Sequence, residues 1–110
     1  MSVAVPPSHD YFKIEDLFAL PGKTKAEIWE GEYIEMPPAG PFRNAIATRL
    51  LILFASHCRA HEGVRASIGD GFELRKNPDI FYIPDVCVYT RRSGKPWLKN
   101  APELAVEIIS

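Results

Sequence analysis

The sequence has few of the residues that build disulfide frameworks and structural zinc sites. Only two of its 110 residues are cysteines, Cys58 and Cys87, and no CxxC spacing is present. Such spacing is the usual signature of a zinc site, and free cysteine is among the most commonly buried residues. We therefore expect two buried free thiols, one on a helix and one on a strand, in preference to a disulfide or a zinc centre.

The chain also lacks an excess of charge of one sign and any long hydrophobic run. Its formal net charge is -1, so no overall basic charge predicts binding to nucleic acid, although a local patch together with a metal would still allow an enzyme to engage DNA. The longest apolar runs, such as residues 50–55, are too short to span a bilayer, and residues 1–10 lack the pattern of a signal peptide. We expect a cytoplasmic protein.

What the chain does have is the composition of a soluble domain, with 46% hydrophobic and 25% charged residues. Its length allows one domain with a modest core. The prolines near the start favour a loose tail over residues 1–13, followed by a single domain over residues 14–110. Apolar spacing and turn residues predict a short helix over 14–20, a hairpin over 25–36 that turns at Glu30-Gly31, and a long helix over 42–61 that is covered on more than one side.

Strands are predicted in the second half of the chain. Residues 80–83 and 86–89 are expected to form one strand interrupted by Pro84, and the apolar run at 104–109 is typical of a buried central strand. Two further strands are expected at 64–68 and 72–74. The order of short helix, hairpin, long helix and several strands indicates an α+β fold of the mixed α/β kind.

Two acidic residues interrupt these apolar segments. Asp85 follows Pro84, which favours a bend, and Glu107 lies within the run at 104–109. A carboxylate in such surroundings loses hydration and needs a cation or hydrogen-bond donors in compensation. A structural ion pair for Glu107 and a turn-capping role for Asp85 stay open. Taken together, the two carboxylates suit a hard divalent cation that also binds phosphate oxygens.

Longer motifs around these acids resemble a known family. Pro84-Asp85-Val86, followed by APELAVEIIS at residues 101–110, is similar to the Uma-two family of restriction endonucleases in the PD-(D/E)XK nuclease superfamily, and AEIWEGEYIEMPP at residues 26–38 resembles its opening hairpin. The resemblance covers residues 14–110. It implies a restriction-endonuclease-like core, in which a mixed β-sheet is flanked by helices and acidic residues bind Mg²⁺ (or Mn²⁺) at one edge.

The resemblance also implies roles for four acidic residues. Asp85 and Glu107 take the positions of metal ligands and catalytic acids. Glu27 and Glu32 match the acidic positions of the opening hairpin, where either supplies a third catalytic acid. The sequence leaves the choice between them open, with Glu27 at the more regular family position.

Two departures from the family pattern bear on activity. The superfamily's usual lysine would fall at Ile109, and Arg43 stands where a histidine is frequent. Family members without that first lysine carry one on a following helix, which would begin after Ser110. The resemblance thus implies a domain that is incomplete at its C-terminus. Without a lysine or histidine in these places, we expect transition-state charge to be less well stabilised.

A basic loop follows the segment of Asp85. In a nuclease, Arg91, Arg92 and Lys95 would contact backbone phosphates, with Trp97 packing on a sugar or base. The alternative is a solvated surface loop with Trp97 packed against the core.

These patterns together predict a metal-dependent endonuclease that hydrolyses DNA phosphodiester bonds. One alternative is an inactive, truncated nuclease-like module that binds DNA or self-associates, and another is a hydrolase of small phosphoesters. Because the apolar run at 104–109 has no following helix to cover it, we also expect a homo-oligomer.

Overall fold

A computed structural model describes residues 11–22, 25–92 and 96–109 of the chain. Within these residues a short helix and a hairpin are followed by a long helix and then by strands, the mixed α+β order that the sequence predicts. In chain order the elements are α1 (Ile14–Ala19), β1 (Ala26–Trp29), β2 (Glu32–Glu35), α2 (Pro41–Cys58), β3 (Val64–Ser67), β4 (Phe72–Arg75), β5 (Ile80–Tyr82), β6 (Val86–Thr90), β7 (Leu98–Lys99) and β8 (Leu104–Val106).

Local sequence explains the first elements. The backbone N–H of Lys13 donates to the Asp16 carboxylate at 3.0 Å, which caps the start of α1. In the hairpin of β1 and β2, both turn residues have positive φ, 51° at Glu30 and 82° at Gly31, as a type I′ turn requires. α2 begins with Pro41 at its first position, where a missing N–H costs nothing.

The strands form two separate sheets. The first has the order β2-β1-β5-β4-β7, in which only the pairing of β4 with β7 is parallel, and the second has the antiparallel order β3-β6-β8. α2 packs mainly on β3 and β6 of the second sheet. The buried core of the first sheet combines residues of α1, β1 and the β5 segment: Ile14, Leu17, Ala26, Ile28, Phe81 and Ile83.

The chain changes sheets at Pro84, and this corrects one prediction. The segments 80–83 and 86–89 do not form one interrupted strand, because β5 belongs to the first sheet and β6 to the second. Pro84 has no N–H for a ladder, and the N–H of Ile83 donates to the Glu27 carboxylate at 2.9 Å. β5 therefore ends at Tyr82, and Asp85 lies where the chain crosses to the second sheet.

The last strand is not the buried central strand that its composition predicts. β8 covers only Leu104–Val106 and pairs with β6 alone, so it lies at an edge, and Ile109 is 94% exposed. The prediction for α2 was wrong in a similar way. It is covered on one side, since Cys58 is its only buried residue and Phe42, Ile52 and Leu53 are exposed.

The part of the predicted tail that the structure describes is attached to the hairpin. Phe12 donates its N–H to the Gly31 carbonyl at 2.8 Å, and its ring packs edge-on against Tyr33. Residues 1–10 lie outside the described residues. Both cysteines are buried and free, as expected. Neither helix in the described ranges has the length and apolar character needed to cross a bilayer.

Candidate active site

Asp85 and Glu107 lie side by side, although 21 residues separate them in the sequence. Antiparallel pairing of β6 with β8 aligns Val86 with Val106. One step further along this register brings Asp85 next to Glu107. Beyond the pair, the backbone N–H of Ile108 donates to Asp85 Oδ2 at 2.8 Å. The carboxylate of Asp85 thereby fixes the end of the β8 segment against the sheet crossing.

Glu27 approaches the same place from the first sheet. Pairing of β1 with β5 aligns Ile28 with Phe81, which places Glu27 opposite Tyr82. The Tyr82 hydroxyl donates a hydrogen bond to Glu107 Oε2. Tyr82 of β5, in the first sheet, thus contacts Glu107, which directly follows β8 of the second sheet. We call Glu27, Asp85, Glu107 and Tyr82 the acidic cluster.

Fixed donors orient the carboxylate of Glu27. Its Oε2 accepts the N–H of Ile83 at 2.9 Å, and its Oε1 accepts the indole N–H of Trp29 at 3.0 Å. The Trp29 ring also packs edge-on against Tyr82, with 6.0 Å between the ring centroids. These contacts hold Glu27 in place in the absence of any cation.

The raised pKa values of Glu107 and Tyr82 indicate that negative charge is crowded in the acidic cluster. Burial of the carboxyl is the largest cause that raises the pKa of Glu107; the Tyr82 hydrogen bond opposes it, and the nearby Asp85 and Glu27 charges add to it. Burial also raises the pKa of Tyr82, together with the bond to Glu107 and the charges of Glu27 and Asp85. A cation at this position would relieve the repulsion.

One cation already lies beside the acidic cluster. Arg43, in the first turn of α2, has its Nε 3.9 Å from Asp85 Oδ1, and the two side chains are 27% and 12% exposed. This distance is too long for a hydrogen bond. Nε is buried and has no hydrogen-bond partner among the described residues. The residue that departs from the family pattern therefore brings a positive charge to the site.

The donor set suits a hard divalent cation, because carboxylate oxygens are the ligands that Mg²⁺ and Mn²⁺ take. In their present orientation, however, the residues within 11–22, 25–92 and 96–109 include no group of three acidic, histidine or cysteine side chains arranged to hold a metal ion. The oxygens of Glu27 and Oδ2 of Asp85 face N–H donors instead. Oδ1 of Asp85 lies 3.9 Å from Arg43 Nε, and the carboxyl groups of Glu107 and Asp85 contact each other.

The structure separates the two hairpin acids that the sequence left as alternatives. Glu27 belongs to the acidic cluster. Glu32 is exposed on β2 in register with Trp29, and none of the described contacts of the cluster involves it. The difference follows from β1 being an inner strand of its sheet and β2 an edge strand.

The basic loop is only partly described, since Lys95 lies outside the described residues. Arg91 is exposed. Arg92 instead donates to the backbone carbonyls of Lys99 and Ala101 and to Glu103 Oε1, at 2.9 to 3.3 Å. Its guanidinium therefore holds the chain segments around it together.

Trp97 packs in the way that the surface-loop alternative predicts. Its indole N–H donates to Glu73 Oε1 at 3.0 Å, and its ring stacks on Phe18 with 4.8 Å between centroids. It also packs against the core of the first sheet. Its ring is engaged by the protein rather than presented for stacking on a base.

Sequence reasoning missed Tyr82, the residue that links the two sheets at the site. The position of Tyr82 in the sequence was a clue, but its meaning depended on which strands pair. Tyr82 lies in the strand just before Pro84-Asp85, and it becomes a neighbour of Glu27 only because β1 pairs with β5. The sequence alone does not specify that pairing.

Comparison with known proteins identifies the family. A profile described as "Uma2: Putative restriction endonuclease" matches residues 10–110. The chain belongs to the Uma2 family. This confirms the resemblance of the motifs around Glu27, Asp85 and Glu107. The comparison with curated proteins found no match.

A solved structure shares the fold of the Uma2 chain. A crystal structure described as a "putative nuclease" from Anabaena variabilis matches with a TM-score of 0.72 and 21% sequence identity. The match covers 87% of this chain and 57% of that one. This chain thus corresponds to somewhat more than half the length of that nuclease-like protein, and the shared feature is the fold.

Proposed function

We propose that the chain acts as a metal-dependent endonuclease that hydrolyses DNA phosphodiester bonds. The observation that supports this most strongly is the convergence of Glu27, Asp85 and Glu107 around Tyr82 in a member of the Uma2 family. Three carboxylates brought together by two sheets are costly without a cation, and their oxygens suit Mg²⁺ or Mn²⁺.

Each acid has a distinct role in this proposal. Asp85 and Glu107 would hold the cation, while Tyr82 orients Glu107. Glu27, fixed by Ile83 and Trp29, is the third catalytic acid and orients the attacking water. When bound, the divalent cation neutralises charge on the phosphate and makes a water more acidic.

Arg91 and Lys95 of the basic loop stay candidates for contacts with the DNA backbone. Arg92 is a candidate only if its guanidinium releases its present hydrogen-bond partners.

A second candidate is a catalytically inactive module that binds DNA or associates with itself. The observation in its favour is that the acids already have partners, since Glu27 accepts two N–H groups and Asp85 accepts one beside Arg43. A cluster compensated in this way is stable without a metal.

Metal titration and plasmid cleavage distinguish these candidates. Calorimetric titration with Mg²⁺ and Mn²⁺ should show binding that Asp85→Ala abolishes, and the same variant should abolish metal-dependent nicking of supercoiled plasmid. Glu27→Gln should weaken both, because it removes a charge from the cluster. Glu32→Gln is the matched control, since it removes the same charge from the same hairpin outside the cluster, and it should behave as wild type.

Other results of these titration and cleavage experiments would favour a different function. No metal binding at millimolar concentration would refute the catalytic proposal, and DNA retention without cleavage, unchanged by Glu107→Ala, would favour the inactive module. Turnover of a nitrophenyl phosphodiester with intact plasmid would instead indicate a hydrolase of small phosphoesters. Equal effects of Glu27→Gln and Glu32→Gln would contradict the role of Glu27 as the third catalytic acid.

A further inference from the structure

Among the described residues, one ion pair involves an acid of the acidic cluster. The other ion pairs lie elsewhere, and only Arg43 faces an acid of the cluster. Ile109, two residues after Glu107, is exposed and carries no charge. Any anionic group that enters this site therefore meets three carboxylates and one guanidinium. The remaining pairs are Arg75 with Glu30, Lys76 with Glu15 and Asp79, and Arg92 with Glu103.

The contact between Arg43 and Asp85 is loose. Arg43 Nε lies 3.9 Å from Asp85 Oδ1, and this buried nitrogen has no hydrogen-bond partner among the described residues. Arg92 shows what a structural arginine looks like in this protein, because its guanidinium donates to three backbone carbonyls, that of Thr90 from Nε, and to Glu103. Among the described residues, Arg43 therefore has no hydrogen bonds of the kind that fix Arg92, and its side chain is 27% exposed, so a ligand can reach it.

We propose that Arg43 binds a phosphate group of the nucleic-acid substrate at the acidic cluster. A guanidinium presents a planar fork of N–H donors that matches phosphate oxygens. Asp85 serves as its counter-ion until substrate arrives, and the phosphate then binds the guanidinium from its exposed side. This inference rests on the proposed function.

The test compares Arg43→Gln and Arg43→Ala with Arg49→Ala, an exposed arginine two turns along the same helix. Binding of a short fluorescein-labelled duplex is measured by anisotropy in Ca²⁺ at constant ionic strength. Single-turnover cleavage is measured in Mg²⁺, and Mg²⁺ binding by calorimetry. The Arg43 variants should bind DNA more weakly and cleave about 100- to 1,000-fold more slowly, with Mg²⁺ binding unchanged or tighter. Arg43→Lys should restore part of the cleavage, and Arg49→Ala should match wild type.

Several results would overturn the inference. If Arg43→Gln binds and cleaves DNA as wild type does, or if its only effects are lower thermal stability and weaker Mg²⁺ binding, Arg43 is only a structural partner of Asp85. Arg43→Gln keeps much of the aliphatic part of the side chain, so its DNA binding and cleavage test the inference if Arg43→Ala fails to fold. A wild-type chain that binds but does not cleave DNA refutes the proposed function, while Arg43-dependent binding would still support the inference. A wild-type chain that neither binds nor cleaves DNA refutes both.

Discussion

At the scale of single residues, the site depends on one hydroxyl. Tyr82 donates to Glu107 and is the contact through which the first sheet reaches an acid that follows the second. Its hydrogen bond lowers the pKa of Glu107, against burial and the charges of Asp85 and Glu27, which together keep that pKa raised. Tyr82 is therefore a positioning residue that favours the ionised carboxylate, the form that binds a cation.

Tyr82→Phe should weaken Mg²⁺ binding about 10- to 100-fold, as is usual when the hydrogen-bond partner of a metal ligand is removed. The pKa of Glu107 should rise further, since the contact that lowers it is gone. Protons and metal compete for the same carboxylate, so the acid limb of the binding profile should move to higher pH. Calorimetric Mg²⁺ titration from about pH 5 to about pH 8, in steps of about one pH unit, measures this.

The control for this variant is Tyr89→Phe. The Tyr89 hydroxyl also donates to a carboxylate, that of Asp70, at 3.0 Å, but outside the acidic cluster. Its loss should leave the pH profile of metal binding in place. If both variants shift the profile equally, or neither does, Tyr82 does not position Glu107.

At the scale of elements, a buried carboxylate attaches α1 to the turn between β4 and β5. Asp79 is 2% exposed and accepts the N–H of Ile14 at 2.9 Å and that of Asn77 at 3.2 Å, with Lys76 Nζ 3.3 Å away. Burial by itself would raise the pKa of Asp79, but these donors and the Lys76 charge outweigh it and lower the pKa. The ionised form therefore stabilises the fold.

Asp79→Asn should lower the free energy of unfolding by about 2 kcal/mol, because it leaves buried donors poorly paired. Since the pKa of Asp79 is lower in the folded state, its contribution is present above the unfolded value of about 3.9 and is lost as pH falls through the folded value. The difference between variant and wild type should therefore shrink in acid.

Urea unfolding at neutral pH and at acid pH measures this difference. Glu62→Gln is the control, because Glu62 is an exposed acid on the surface, and its effect on stability should be small at either pH. A destabilisation by Asp79→Asn that stays constant down to acid pH would show that the ionisation of Asp79 does not stabilise the fold.

The elements also show where sequence patterns work. The hairpin followed from its Glu30-Gly31 turn and α1 from its apolar spacing, because these are interactions between near neighbours. The crossing at Pro84 did not follow, since 80–83 and 86–89 have equal strand character and only long-range pairing assigns them to different sheets. The same holds for β8, whose apolar composition does not reveal that it has one neighbour.

At the scale of the whole molecule, α2 covers one face of the second sheet and exposes apolar side chains on its outer side. Ile52 and Leu53 are 60% and 66% exposed, and Phe42 is exposed on the first turn. Exposed apolar side chains favour association when they lie close together on a surface, as Ile52 and Leu53 do along the chain. The expectation of a homo-oligomer therefore stays a proposal, with α2 as its candidate surface in place of the 104–109 run alone.

Replacing both Ile52 and Leu53 by lysine should shift the protein toward monomer at high concentration, since it puts two charges on the outer side of α2. Light scattering over a concentration series measures this. Ile34→Lys is the control, because Ile34 is an exposed apolar residue on β2 of the other sheet. A wild-type chain that stays monomeric throughout would refute the proposal.

The sequence by itself determined the family, the fold class and the hairpin, and it predicted Asp85 and Glu107 as a pair, because motifs and turns are encoded in near neighbours. Only the tertiary structure decided that Glu27 and not Glu32 joins these acids, that Tyr82 links the sheets, and that Arg43 stands beside Asp85. These depend on which strands pair and how α2 packs on them. Such contacts join distant segments, and no local pattern specifies them.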